Sequence, residues 1–248
     1  MHHLRSGPLA AWSAAWLDGR VVSDEVLRAT AGSDAPHQVG GLADFDAELV
    51  PLSEVLLAWR RAGGPVRLVL PVAGDMRGLP GPAEFRSAAL EAGEAVCGAT
   101  VGIVPTVIEY APSSAPTTVL WQAFEIADAP ADFIAVADAQ YELTTAIRES
   151  ASALSAADVA GGIDDITDVL HDARRAGENL NLPPGFPSRA VTLVAQSERL
   201  QVLLDLAAQD PTGGAIDRAG IAARGEALRP LATAVRRARL AGYNALAD

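Results

Sequence analysis

The pattern of apolar and polar positions divides the chain into two stretches of different rhythm. Up to about residue 129, short apolar runs alternate with helical patterns. From residue 130 onward, the helical period prevails and strand signals almost vanish.

In the first stretch, Leu9 to Leu17 reads as a short helix with Trp12 and Trp16 on one face. A second helix is marked by Ser23 as N-cap, Asp24 and Glu25 in the first turn, and Gly32 as its stop. HQVGGL and AELV are weak strand candidates. Pro51 opens PLSEVLLAWRRAGGP as a helix with Val55, Leu56 and Trp59 on its apolar side. Val66 to Val72 is short and rich in β-branched residues, so it reads as a strand. Pro82 then begins a helix that Gly93 closes. Thr100 to Tyr110 and Thr117 to Ile126 are the longest strand candidates. Their connector, APSSAP, is too short for a parallel crossover, so a hairpin is expected. Both carry apolar residues on both faces, which predicts a sheet covered on two sides.

In the second stretch, Asp132 is placed to cap a helix carrying Val136, Gln140, Leu143, Ile147, Ser150 and Leu154 at alternating steps of three and four. A similar rhythm runs from Asp158 to Ala176. Ser188 or Pro187 starts a third helix, after the link NLNLPPGFPS. A last helix follows, with Pro230 kinking it or marking its true start. Short connections between four helices predict an antiparallel bundle. The expected fold is therefore α+β: a small mixed sheet with packed helices over residues 1–129, then a helical bundle over residues 130–248. The two regions can pack as one unit.

Charge narrows the function classes. The net charge is -12, and all 19 basic residues are arginines. The acidic balance disfavours nucleic acid. The lack of lysine excludes Schiff-base chemistry, a P-loop lysine and a Ser-Lys dyad. Cys97 is the sole cysteine, sits in an apolar run and reads as a structural thiol. No stretch approaches the ~18 apolar residues of a membrane span, and the N-terminus lacks a convincing signal peptide. A cytoplasmic protein without a membrane partner is expected.

Residues 131–178 hold ten acidic groups and three arginines, whereas the last helix carries Arg224, Arg229, Arg236, Arg237 and Arg239 against Glu226. These arginines either pair across the bundle or meet a partner, another protein or a second copy of the chain.

Candidate chemistry is sparse. LPVAGDMRGLPGP follows a strand end, where open α/β sheets place ligands, and offers Asp75 and Arg77. Pro82 removes one helix N–H and Glu84 adds negative charge there, and the loop matches no phosphate-binding motif. A stiff corner in which Asp75 caps or pairs with Arg77 is the simpler reading. His37, in the loop DAPHQVGG, is read as a surface histidine, with an acid-base pairing to Asp75 as the alternative. Asp164, Asp168 and Asp172 repeat every four residues with His171 beside them. They read as a solvated acidic face, with no metal. Phe186 in NLNLPPGFPS either anchors a recognition loop or packs down in a stiff link. No motif calls for a cofactor. Two function classes remain: a non-enzymatic protein-binding or scaffold protein acting through its helical half, and a small-molecule binder or hydrolase-type enzyme using the Asp75 loop.

Overall fold

The computed structural model describes residues 4–42, 48–108, 116–127, 132, 134–156, 166–209 and 218–247. The chain forms two compact units. One unites residues 3–133, 181–186 and 243–248 and contains the sheet. The other is helical, from residues 134–180 and 187–242. The fold class is α+β, as the two rhythms of the sequence imply.

The sheet unit runs α1 (Ser6–Leu17), α2 (Ser23–Ala31), β1 (Gln38–Gly40), β2 (Leu49–Pro51), α3 (Leu52–Ala62), β3 (Arg67–Val69), α4 (Ala83–Ala92), β4 (Ala95–Cys97), β5 (Val101–Ile108) and β6 (Thr118–Glu125). The strands lie in the order β2-β1-β6-β5-β4-β3. β5 and β6 pair antiparallel, from Val101 opposite Glu125 to Ile108 opposite Thr118. That is the expected hairpin; its connector lies outside the described residues. β1 runs parallel to β6, with Val39 opposite Trp121, and makes the sheet mixed. β4 was not expected; a three-residue strand is too short to show a period. The predicted Val66–Val72 strand shrinks to β3, because Val72 already turns back on Asp75.

Helix α4 covers one face of the sheet. Phe85 and Ala89 meet Cys97, Val104 and Ile126, and Phe85 lies where any side chain at Gly102 would stand. On the other face Leu68, Val96, Ile103 and Trp121 are all buried. The helix α3 is fastened there by Trp59, whose indole N–H donates to the Val101 carbonyl at 2.9 Å. The ring stands so close to Gly98 that a Cβ there would be 2.3 Å from it.

Helix α1 is not amphipathic. Leu9, Ala10, Ala11, Ala14, Ala15 and Trp16 are buried around it, as are Ser6 and Ser13. A helix hidden on all sides must find partners for its first N–H groups inside the protein. Glu94, buried and 88 residues away, supplies them: its Oε2 accepts from Ser6 N at 2.7 Å and from Arg5 N at 3.0 Å. Helix α2 is capped one residue earlier than expected. Glu25, not Ser23, closes the cap by accepting from Val22 N at 3.0 Å.

β3 is an edge strand, and the end of the chain closes part of that edge. Asn244 accepts from Leu68 N at 2.8 Å and donates to Leu68 O at 3.0 Å, as a neighbouring strand would. Arg67 donates to Ala247 O beside it.

The helical unit holds α5 (Val136–Ala156), α6 (Ile166–Glu178), α7 (Ser188–Gln209) and α8 (Arg218–Tyr243). Its core joins Ala139, Leu143 and Ala146 of α5, Leu193 of α7, and Val235 and Ala238 of α8. Gln140, a polar intrusion in the stripe of α5, donates to Gln196 of α7 at 3.0 Å. Pro230 lies inside α8 and is not its start. The start expected at Asp158 lies outside the described residues.

Candidate functional site

The residues singled out from sequence do not assemble into one site. Asp75 and Arg77 pair directly: Arg77 Nε and one terminal nitrogen each donate to the Asp75 carboxylate at 2.8 Å, and Arg77 Nε stands 3.8 Å from Asp132 as well. Two backbone bonds between Val72 and Asp75, with Gly74 at φ 86°, make the segment a tight turn. This is the stiff corner.

His37 lies far from it. β1 and β3 are separated by β6, β5 and β4, so the two ends stand about 19 Å apart at normal strand spacing. The His37–Asp75 pairing is thereby excluded. His37 is also no surface residue; it is 5% exposed. Its Nδ1 accepts from the Trp121 indole N–H at 3.1 Å, which sets the proton of the neutral ring on Nε2. Nε2 stands 3.6 Å from Asp34 Oδ2, and Asp34 is bound in turn by Arg5 at 2.8 Å. Burial lowers the His37 pKa below its ordinary 6.5. Asp34 opposes that shift, and Arg5 reinforces it.

A lowered histidine pKa means that the unfolded chain takes up the proton first as pH falls. This contribution to stability is complete above pH 6.5 and shrinks as pH drops through 6.5 toward the folded-state value. Urea unfolding from about pH 8 to about pH 5 is expected to fall more steeply for the native chain than for His37→Gln, by up to ~1.4 kcal/mol per pH unit. Parallel curves would remove His37 as the titrating group.

The arginines of α8 form no single free face. Arg237 makes two bonds to Glu142 of α5, the shorter at 2.7 Å, and Arg239 two to Glu198 of α7, the shorter at 2.9 Å. Arg229 pairs with Glu226 on its own helix, and neither Arg224 nor Arg236 is free. The acidic stretch of residues 131–178 meets the arginine helix at Glu142 in this way. Cys97 is buried and its thiol is pushed up to about 12 by desolvation, as suits a structural residue. Phe186 is buried too, so NLNLPPGFPS packs down. Asp164 and the side chains of Asp168 and Asp172 lie outside the described residues; His171 is exposed on α6. Among the described residues no group of three metal-ligating side chains is assembled, and no helix is long and apolar enough to cross a membrane.

Three concavities stand out among the described residues. One, of about 390 Å³, lies in the sheet unit beside Leu17, Pro65 and Leu246. Another, of about 560 Å³, also belongs to the sheet unit. It opens at the carboxyl ends of β1 and β6, the parallel pair, where Gly41 and Leu42 leave β1 and Glu125 and Ile126 end β6. The start of β5 adds Thr100 and Val101, and α3 adds Ala58, Arg61 and Ala62. This is where strand ends in open sheets receive ligands, and the volume falls in the usual range for small molecules. Arg61 is steadied by its Nε donating to Leu57 O at 3.3 Å. Gly41, at φ 76°, is confined against Gln122 and the Ala123 carbonyl, so a side chain there would collide.

Arg61, Thr100 and Glu125 were not foreseen. Nothing in their local sequence marks them; the one usable signal was the glycine pair ending HQVGG. The third concavity, about 430 Å³, lies between α5 and α8 in the helical unit. Tyr141, 71% exposed, stands on one side and Pro230, Thr233 and Ala234 on the other.

Comparison with known proteins adds kinship. A family model described as the N-terminal domain of Rv1486c-like proteins matches residues 6–138, and that of the C-terminal domain matches residues 137–240. The chain is 31% identical over 281 residues to the uncharacterized protein Rv1486c of Mycobacterium tuberculosis H37Rv, across 96% of this chain and 95% of the relative. It is 28% identical over 284 residues to an uncharacterized protein of Mycobacterium leprae, with the same coverage. No solved structure matches the chain. With both domain models matched in order and a relative aligned along almost its whole length, this chain belongs to the family of Rv1486c-like proteins.

Proposed function

We propose that this chain is a non-enzymatic, cytoplasmic binding protein whose sheet unit holds a small molecule in the cleft at the carboxyl ends of β1 and β6. The observation that carries the reading is the place of that cleft. It lies beside the parallel strand pair, is walled by α3, and sets Arg61, Thr100 and Glu125 beside apolar residues such as Val101, Phe124 and Ile126. The small-molecule class anticipated from sequence is kept, and its site moves from the Asp75 turn to this cleft. A library of polar metabolites screened by saturation-transfer NMR on the full chain tests it. Binders are expected, and Thr100→Trp, which puts a bulky ring in the mouth, is expected to abolish their signals. A screen without binders, or binders indifferent to Thr100→Trp, rejects the reading.

A second reading is protein binding through the helical half. The exposed ring of Tyr141 over the α5–α8 groove favours it. The occupant we weigh is a second copy, whose Tyr141 would meet the groove walled by Pro230, Thr233 and Ala234 in the reciprocal contact of a two-fold dimer. Sedimentation across a wide concentration range decides: self-association weakened by Tyr141→Ser supports it, and a monomer throughout removes it.

A further inference from the structure

We infer that the cleft of the sheet unit takes a small zwitterion, with its carboxylate on Arg61 and its ammonium on Glu125. The inference rests on the cleft being the ligand site. Both charged side chains line the same cavity, yet no ion pair joins them. Among the described residues Arg61 spends only its Nε, on Leu57 O, and its terminal nitrogens make no hydrogen bond. Among the described residues Glu125 makes no ion pair or side-chain hydrogen bond.

Opposite charges that share a cavity without neutralising each other discriminate by total charge. A simple anion would gain Arg61 but meet Glu125, and the field of a chain with net charge -12 would oppose it further. A simple cation would gain Glu125 but meet Arg61. A neutral apolar molecule would strip water from both charges and return nothing. A molecule with one charge of each sign compensates both, through hydrogen bonds to charged groups. The same lining holds the apolar side chains of Ala62, Val101, Phe124 and Ile126, which suit a short hydrocarbon stem. A phosphate ester fits poorly, because a single guanidinium is too little for a dianion facing a carboxylate.

The test is a series of ω-amino acids from glycine to 6-aminohexanoate, titrated into the full chain by calorimetry at low salt. Affinity is expected to peak at one stem length, the length that spans Arg61 to Glu125. N-acetylation or esterification of that compound is expected to weaken binding roughly tenfold each. Glu125→Gln should lower affinity for the amino acid while sparing its N-acetyl form. Arg61→Gln should spare the methyl ester instead. Equal binding of blocked and free forms, a flat length profile, or no binding by any member overturns the zwitterion. If metabolites of a single charge still enter the cleft and are expelled by Thr100→Trp, the ligand site stands without it. If nothing enters, both readings fall.

Discussion

Replacing Trp59 by alanine is expected to cost about 4 kcal/mol of unfolding free energy, in the range for a large aromatic lost from a core. The ring is buried, with 1% exposed. Two features keep the cost high. The ring lies against the backbone at Gly98, which has no side chain to swing into the void. The Val101 carbonyl also loses the indole N–H that reaches it from α3. Trp59→Phe refills most of the volume without restoring the donor, and about half the loss is expected from it. Urea unfolding followed by far-ultraviolet circular dichroism measures both. A loss under ~1.5 kcal/mol for Trp59→Ala would mean that the core closes over the gap and that Trp59 does not anchor α3. The change should also reach the cleft, since Val101 lines it and Arg61 stands two residues after Trp59 on the same helix.

Glu94→Ala carries the next largest expected effect, about 3 kcal/mol, from the loss of a cap that is also a charge-assisted bond to buried N–H groups. The carboxylate sits at the positive end of α1, a helix with no acidic residue in its own first turn and no side-chain cap of its own. Removal leaves Arg5 N and the buried Ser6 N without that acceptor. Glu94→Gln keeps an acceptor oxygen and gives up the charge, so about half the loss is expected from it. Hydrogen exchange adds a local readout: protection at the first amides of α1 should fall in Glu94→Ala before the rest of the unit is affected. Native-like stability in that variant, or equal damage from alanine and glutamine, would refute the capping role.

The Asp75 turn and the cleft differ in the strands that stand beside them. The rule that ligands sit outside strand carboxyl ends pointed to the strongest strand signal, Val66–Val72, and so to Asp75. But β3 is an edge strand paired antiparallel to β4. A strand without a parallel neighbour creates no crevice where connections diverge. The parallel neighbour belongs to β1, three residues whose weak signal gave it little weight. His37 was misjudged for a related reason. DAPHQVGG reads as a polar loop, and only the arrival of Trp121 and Asp34 from distant segments buries the ring and gives it partners.

Local order set much of the rest. The hairpin of β5 and β6, the proline and glycine limits of α3 and α4, and the helical character of the second half follow from side-chain period and turn chemistry, which act between residues close in the chain. The all-arginine composition likewise closes off lysine chemistry whatever the fold. What only the tertiary structure decided depends on contacts between remote segments: Glu94 at the start of α1, Asn244 on the edge of β3, Arg237 on Glu142, and Arg61 and Glu125 brought to one cleft. A period reports which face of an element is apolar. It carries no information about which distant element covers that face, and that choice places the charges that a ligand would meet.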